Sequence, residues 1–493
     1  MDRRRFLAAA GAAVGGAALA GPLSALMARV AGAEPIISPG YGPLVPMGDL
    51  RLPAGFSYKI VQRQGDLMTP VDAATGVPSS GGVSHPTPSR FDGMAAFPGP
   101  DGSTILMRNH ENKKRYNFPR GVATPVIPGN EIDVIVPEDK RYDSFYNGGV
   151  VKLTIKDGNV LESYAVIAGT THNCAGGLTP WHSWLTCEEF FQTNPTAPNV
   201  AHGYVFDIPV SANGPVTPLP IVAAGRFEHE AVAWSNGALY ETEDAPDASF
   251  YRYRPTNPNN LLAGGTLEAL RLIDFPGRDT RLGGSWPGPV GSAFAAEWVP
   301  IADPNPSVNT GTPSVRGQAQ AQGAAIFARL EGIWSVQGKI YFDATTGGGT
   351  SVLPNTDGLG FGQVYEYDPV LGTLRLVFEA TKTAPFALVR PDNLAPHLLT
   401  STIYLCEDNQ GSEPASTNHV RGLTPKGTIF DFAEGVTNTT EFAGVCFSPD
   451  GQTMFLNQHG NNSTQGGVTY AITGPWKNFV KPSPTPSPST PLH

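Results

Sequence analysis

The chain has 493 residues with a formal net charge of −10 at pH 7, and only 15% of its residues are charged. There is no long basic run beyond the extreme N-terminus and residues 113–115, so the charge pattern argues against nucleic acid as a partner. The 57 glycines and 47 prolines are spread along the sequence, which favours many short strands joined by turns, as in an all-β protein. Four cysteines in so long a chain do not indicate a disulfide framework.

Residues 1–33 predict a twin-arginine export signal. The run RRRFL (3–7) fits the arginine pattern, an alanine- and glycine-rich stretch follows, and AGA (31–33) suits cleavage. The alternative is an uncleaved anchor, but the stretch is too short and too rich in glycine for a span of about 20 apolar residues. We therefore expect a periplasmic or secreted protein that engages the twin-arginine export machinery and has no stable membrane insertion.

Strand signals fill the rest of the chain. LPAGFSYKIV (52–61) predicts a first strand, and residues 148–169, 203–225 and 363–380 predict hairpins. Between them recurs an apolar-acid-small-apolar segment, a turn, and a strand ending in Glu, Asp or Asn. The six copies are RFDGMAAFPGPDGSTILMRNHEN (90–112), NCAGGLTPWHSWLTCEE (173–189), FEHEAVAWSNGALYETED (227–244), RLEGIWSVQGKIYFDATTG (329–347), RPDNLAPHLLTSTIYLCEDNQ (390–410) and EFAGVCFSPDGQTMFLNQHG (441–460).

Repeated strand pairs at spacings of tens of residues are typical of a β-propeller. We predict an all-β, six-bladed β-propeller as a single domain over residues 45–476. Insertions are expected near residues 113–147 and 276–325, and a disordered tail rich in proline and serine is expected at 481–493.

Equivalent repeat positions converge at the central channel of a propeller. These positions are Asp92, Cys174, Glu230, Glu331 and Asp392, with Ala443 as the sixth. A single acid there would more often tie turns together, but four carboxylates and a thiol repel one another unless cations neutralise them. Carboxylates favour calcium, whereas a thiolate favours a softer ion such as iron or zinc. The sequence therefore predicts a polynuclear metal site.

A second row of acidic residues ends the repeat strands, often in adjacent pairs. Because side chains alternate along a strand, only one member of each pair can face the channel, and the sequence does not decide between Glu188 and Glu189 or between Glu243 and Asp244. The complete predicted ligand set is Cys174, Glu188, Glu230, Glu243, Glu331, Asp392 and Glu407.

Arginines precede the repeat acid by two residues at Arg90, Arg329 and Arg390. Each could be a salt-bridge partner buried under its blade. For Arg329 we predict instead that the side chain faces the channel and clamps an anionic substrate, because a planar guanidinium suits that role.

Several motifs together resemble the PhoX-type alkaline phosphatase family. They are MRNHEN (107–112), THNCAGGLTPWHSWLTCEE (171–189), GRFEHEAVAW (225–234) and RLEGIW (329–334), within a match from about residue 50 to 476. The resemblance implies a six-bladed propeller with a cluster of Fe³⁺ and Ca²⁺ ions that removes phosphate from small-molecule monoesters at alkaline pH.

The resemblance also implies that Cys174 ligates iron, that Glu230, Glu331 and Asp392 lie among the metal ligands, and that Arg329 holds the phosphate. The chain is markedly shorter than the well-known phosphatases of this family, and its fifth repeat differs from theirs.

Two other functions fit an acidic propeller channel. One is a calcium-dependent lactonase or related hydrolase, and the other is a secreted propeller whose metals only tie the blades together. Cys174 and Arg329 favour the phosphatase, because a lactone requires neither a soft metal nor an anion clamp. We expect a monomer that acts on phosphomonoesters.

Overall fold

The computed structural model describes seven stretches of the chain: residues 40–112, 135–192, 200–349, 360–380, 387–408, 417–460 and 465–479. The predicted signal (1–33), the predicted tail (481–493) and most of the first predicted insertion lie outside these residues. No helix in the described stretches has the length and apolar character needed to cross a membrane.

The described residues form 26 strands and one α-helix, apart from short 3-10 turns. The first strands are β1 (Leu44–Pro46), β2 (Leu50–Pro53), β3 (Ser57–Arg63), β4 (Phe91–Pro98), β5 (Thr104–His110), β6 (Gly148–Lys156), β7 (Asn159–Thr170), β8 (Asn173–Leu178), β9 (Ser183–Glu188), β10 (Val205–Pro209), β11 (His229–Ser235), β12 (Ala238–Glu243), β13 (Tyr251–Pro255) and β14 (Gly265–Leu272). The others are β15 (Ala293–Pro300), β16 (Leu330–Val336), β17 (Lys339–Ala344), β18 (Gln363–Asp368), β19 (Thr373–Glu379), β20 (Pro391–His397), β21 (Thr402–Glu407), β22 (His419–Leu423), β23 (Ile429–Gly435), β24 (Phe442–Phe447), β25 (Thr453–Gln458) and β26 (Val468–Thr473). The helix is α1 (Val315–Ala321).

The strands pair in antiparallel fashion within five sheets. Their orders are β4-β5-β6-β7, β10-β9-β8, β11-β12-β13-β14-β15-β19-β18-β17-β16, β1-β2-β23-β22-β21-β20 and β24-β25-β26-β3. The expectation of an all-β, propeller-like fold is confirmed. The strands do not divide into six separate four-stranded sheets. One sheet has three strands and another has six. In addition, β15 pairs with both β14 and β19 and so joins two groups of four strands into one nine-stranded sheet.

Strand β15 and helix α1 both come from the second predicted insertion, residues 276–325. The sequence of this segment predicts mainly loop. In the structure, however, the segment supplies a full strand at the outer side of the fold. The hydroxyl of Ser314 caps α1 by accepting a hydrogen bond from the N–H of Gly317 at 3.0 Å.

Six two-stranded units, which we call the inner hairpins, lie at the centre of the molecule. They are β4–β5, β8–β9, β11–β12, β16–β17, β20–β21 and β24–β25. The first strand of each contacts the first strand of the next, and β24 contacts β4. Small residues permit this close approach: a Cβ added to Gly93 would lie 2.5 Å from the Cα of Ala175, and one on Gly332 would lie 2.2 Å from the carbonyl oxygen of Asp392.

The third strand and the last strand of the described chain lie side by side in one sheet. Strand β3 pairs with β26, so that Ser57 lies opposite Thr473 and Arg63 lies opposite Val468. The last sheet is thus completed by an early strand. The hydrophobic cores lie between neighbouring sheets; the first of them includes the fully buried Trp184 together with Leu106 and Val151.

Candidate metal centre

A cavity of about 470 Å³ lies where the first strands of the inner hairpins begin and their second strands end. Nine carboxyl groups line it: Asp92, Glu111, Glu189, Glu230, Asp244, Glu331, Asp392, Asp408 and Glu441. The other side chains on its wall are Arg90, Cys174, Arg329, Thr439, Thr440, His459 and Gln465. Two arginines cannot balance nine carboxylates, so the cavity has the composition of a site for cations.

Each inner hairpin carries the same irregularity, and it decides which side chains reach the cavity. In the second hairpin Leu178 lies opposite Trp184 and the pairing runs evenly to Gly176, but a bulge then shifts the register. Even pairing would put Cys174 opposite Glu188. The bulge instead puts Asn173 opposite Glu188, and opposite residues share a face of the sheet. Glu188 therefore points away from the cavity, whereas the side chain of Glu189 points toward it, as that of Cys174 does.

The other five inner hairpins shift register at the corresponding place. His229 rather than Glu230 lies opposite Glu243, and Pro391 rather than Asp392 lies opposite Glu407. Asp244 and Asp408 are consequently the residues that line the cavity.

The predicted placement of Glu188, Glu243 and Glu407 at the cavity is thus wrong. Each is fully buried and serves the scaffold instead. Glu188 accepts hydrogen bonds from the N–H groups of Thr171 (3.1 Å) and Gly203 (2.9 Å), and its Oε1 lies 2.7 Å from Nδ1 of His202.

Glu243 and Glu407 have equally complete sets of partners. Glu243 accepts from the hydroxyl of Tyr251 at 2.9 Å and pairs with Arg316 of helix α1 at 2.5 Å. Glu407 accepts from the N–H of Val389 at 2.9 Å and from Nε of Arg421 at 2.7 Å. These bonds leave little capacity for a metal ion.

The remaining predicted ligands, Cys174, Glu230, Glu331 and Asp392, all line the cavity. Burial raises the pKa of the Cys174 thiol well above its usual range, and the carboxylate of Glu189 adds to the rise. The thiol donates a hydrogen bond to Oε2 of Glu189 at 3.0 Å.

Burial also raises the pKa values of the three predicted carboxylate ligands, Glu230, Glu331 and Asp392. The pKa of Glu230 rises well above its ordinary value through burial and then through Glu189, and that of Asp392 does so through burial and then through Glu331. Burial raises the pKa of Glu331 to about 8, although Arg329 beside it acts in the opposite direction. Carboxyl groups in this state regain their charge when a cation binds among them.

Arg329 lies on the cavity wall, as predicted, but it is not free of partners. Its Nε and Nη2 each donate a hydrogen bond to Asp244 at 2.8 Å, and Nη2 lies 2.8 Å from Oε1 of Glu331. Its side chain remains 24% exposed toward the cavity. The equivalent Arg390 does not line the cavity.

Glu441 is a cavity residue that the sequence reasoning missed. The sixth repeat has Ala443 where the others have an acid or a thiol, and Glu441 compensates from two positions earlier, the position of Arg90, Arg329 and Arg390 in their repeats. A comparison of all six repeats at that earlier position could have found it.

Two groups of side chains offer closely spaced ligand atoms. One is Asp92, Glu111, Glu441 and His459, and the other is Glu111, Cys174 and Glu189; in each group the ligand atoms lie within 4.8 Å of one another. Glu111 belongs to both, so the two positions are neighbours. The first set has an imidazole among carboxylates and the second has a thiol, which is the chemistry of metal-binding side chains.

A sequence model of a protein family described as alkaline phosphatase PhoX matches residues 39–162 and 156–460. Among solved structures, PhoX of Pseudomonas fluorescens in complex with vanadate, a transition state analogue, is 18% identical to this chain, with a TM-score of 0.62. The match covers 90% of this chain and 98% of that one. A protein of unknown function from Dyadobacter fermentans is 10% identical, with a TM-score of 0.43, and covers 87% of this chain and 100% of its own. Curated protein sequences give no match.

Proposed function

The chain belongs to the alkaline phosphatase PhoX family, and from this premise we propose that it hydrolyses phosphate monoesters at alkaline pH with metal ions held in the acidic cavity. The observation that supports the proposal most directly is the cavity itself, where nine carboxyl groups and a thiol face two arginines. Such a wall stays charged only around cations, and a polyanion such as phosphate enters it only if cations draw it in.

We infer that the ions are iron and calcium. Cys174 is the softest ligand in the cavity, and with Glu189 and Glu111 it offers a position for iron. Glu230, Glu331, Asp392 and Asp408 offer oxygen atoms alone, which calcium accepts in variable geometry. When bound, such ions supply an activated oxygen nucleophile and neutralise the oxygens of the phosphate.

Arg329 is the residue that we assign to phosphate binding. Asp244 and Glu331 hold two nitrogens of its guanidinium, and Nη1 makes no hydrogen bond to any described residue. The fixed guanidinium can therefore present Nη1 to an anion without first being ordered, and it stabilises charge that develops on the phosphate oxygens. Burial would raise the pKa of Asp244, but Arg329 outweighs it and lowers this pKa, so the pair stays ionised at alkaline pH.

We also infer a six-bladed arrangement, in which the nine-stranded sheet counts as two blades joined by β15. The closed order of contacts among the six inner hairpins and their common bulge support this count. For localisation we propose twin-arginine export to the periplasm or the medium, supported by the run RRRFL (3–7).

A steady-state assay with 4-nitrophenyl phosphate at pH 8–10, before and after treatment with EDTA, tests the function. We expect hydrolysis that EDTA abolishes and that Ca²⁺ together with iron restores. Full activity after chelation, verified by elemental analysis of the protein, would overturn the metal mechanism. The absence of hydrolysis by metal-replete protein across a set of phosphomonoesters would overturn the phosphatase assignment.

A further inference from the structure

We propose that His459 is a metal ligand, and that its Nε2, together with the carboxylates of Asp92 and Glu111, forms a position for a transition metal ion rather than for calcium. The inference rests on the proposed metal-dependent function and concerns one position within that cavity. It follows from the placement of three ligand atoms and from two buried polar atoms without partners.

The ring of His459 is oriented by a carboxylate behind it. Its Nδ1 lies 3.1 Å from Oε1 of Glu441, within ion-pair distance. With the Nδ1 proton on the side of this carboxylate, the lone pair of Nε2 lies on the side of Glu111 and Asp92. A carboxylate that holds the far nitrogen of an imidazole is the usual support of a metal-binding histidine.

Nε2 of His459 faces two carboxylates. It lies 2.8 Å from Oε2 of Glu111 and 3.9 Å from Oδ2 of Asp92. A metal ion with bonds of about 2.0–2.2 Å has neighbouring ligand atoms about 3.0–3.6 Å apart, and the two measured separations bracket that interval. Small movements of side chains would fit all three atoms to one ion.

The contact between His459 and Glu111 is not a hydrogen bond. Although the two atoms are 2.8 Å apart, they are not aligned for donation, and Nε2 has no hydrogen-bond partner among the described residues. Oδ1 of Asp92 also has none, and both residues are only 5% exposed. Buried polar atoms without partners are costly, and a cation between them removes that cost.

The imidazole decides the class of metal. Calcium takes oxygen ligands almost exclusively, whereas iron, zinc, cobalt and similar ions accept imidazole nitrogen beside carboxylate oxygen. A protonated His459 that only bridges Glu111 and Glu441 is the competing arrangement, and it gives no reason for a transition metal to bind at this position.

Titration with Co²⁺ separates the two arrangements. The mature protein is stripped with EDTA, returned to a Ca²⁺ buffer, and titrated with Co²⁺ as wild type, as His459→Gln and as His419→Gln. His419 is the matched control, because its Nδ1 lies 3.4 Å from Oε2 of Glu407 and it is outside the cavity. The absorption band of sulfur-to-cobalt charge transfer reports on the Cys174 position independently.

We expect His459→Gln to lose one bound Co²⁺ per chain, or to bind it at least about tenfold more weakly, since even indirect disturbances of a ligand weaken binding by 10- to 100-fold. The sulfur band should remain, and His419→Gln should titrate like wild type. Unchanged Co²⁺ stoichiometry and affinity in His459→Gln would overturn the proposal.

If His459→Gln fails to fold or loses the sulfur band as well, crystals of the wild type soaked in Co²⁺ decide by anomalous scattering. A cobalt peak about 2.0–2.2 Å from Nε2 of His459 supports the proposal, and cobalt elsewhere only overturns it. Neither measurement requires turnover, so a protein that hydrolyses no phosphomonoester would refute the proposed function and leave the assignment of His459 to be decided by cobalt.

Discussion

Both carboxylate oxygens of Asp244 accept a hydrogen bond from the guanidinium of Arg329, each at 2.8 Å. Asp244 ends the third inner hairpin and Arg329 begins the fourth, so this ion pair joins neighbouring units at the wall of the cavity. The exposed fraction of the Arg329 side chain is 24% and that of Asp244 is 9%. A paired, partly buried guanidinium has little freedom to turn, which makes it a fixed donor for an anion.

Substitution Arg329→Ala should lower kcat/KM for phosphomonoesters by roughly 10²–10³, the scale of one lost donor to developing charge. Steady-state kinetics with metal-replete protein measure it. Arg390→Ala is the matched control, because Arg390 holds the same place in the fifth repeat and the same left-handed backbone but does not line the cavity. Similar losses in both variants would show that Arg329 acts through the scaffold rather than on the substrate.

Asp244→Asn should lower kcat/KM by roughly 10- to 100-fold, because it leaves Arg329 in place but loosely held. Once Arg329 is absent, the same substitution should cost much less. We expect a coupling free energy of about 1–3 kcal/mol in a double-mutant cycle of Arg329→Ala and Asp244→Asn. Strictly additive effects would mean that Asp244 serves another purpose, such as direct metal binding.

The neighbours Glu188 and Glu189 should respond in opposite ways to the same change. Glu189→Gln should reduce the bound metal, measured by elemental analysis, because Glu189 lies beside Cys174 in the cavity. Glu188→Gln should keep the metal but lower the free energy of unfolding by about 3–5 kcal/mol, because it breaks a buried pair with His202. Urea unfolding of both variants measures the second quantity, and an exchange of the two phenotypes would contradict the observed register.

The stability of the protein should fall at alkaline pH because of His202. Burial alone would lower the pKa of His202, but Glu188 and Asp143 outweigh it and raise the pKa to about 9 from 6.5. Since the folded-state value is the higher one, the stabilisation is complete below pH 6.5 and is lost as the pH rises through about 9. The loss is on the order of 3 kcal/mol.

Urea unfolding of wild type and His202→Gln at several pH values between 6 and 10 checks this dependence. The stability advantage of the wild type should be largest at pH 6 and should shrink toward pH 10. An advantage that does not change with pH would mean that the imidazole of His202 is neutral throughout.

The sequence was sufficient to predict the six repeats and to identify the residues near the start of five of these repeats that line the cavity. The same short pattern begins each of the six repeats. At its equivalent position five repeats carry an acid or a thiol, and all five of these residues line the cavity: Asp92, Cys174, Glu230, Glu331 and Asp392. Repetition supplied the information: a single acid on a strand is ambiguous, but equivalent positions in units around one axis must converge.

The choice within each acidic pair could not be made from the sequence. Counting back evenly from the turn puts Glu188 opposite Cys174 and Glu243 opposite Glu230, and this count selects the wrong member in every case. A bulge adds one residue to the first strand and exchanges the faces of everything beyond it. No residue type marks the bulge, since Gly93, Ala175 and Asn393 occupy it in different hairpins, so only the packing of the units against one another reveals it.

The pairing of β3 with β26 sets the moment at which the wall of the cavity is first complete. Glu441 and His459 flank the last inner hairpin, and that hairpin belongs to the sheet that β3 completes. Until these strands have been synthesised, the carboxyl groups of the first five inner hairpins are not yet enclosed by Glu441 and His459. Contacts across some 400 positions of chain form only after translation, and they form slowly. For the proposed metal ions we therefore expect binding late in folding, from the ions of the compartment in which the last sheet is completed.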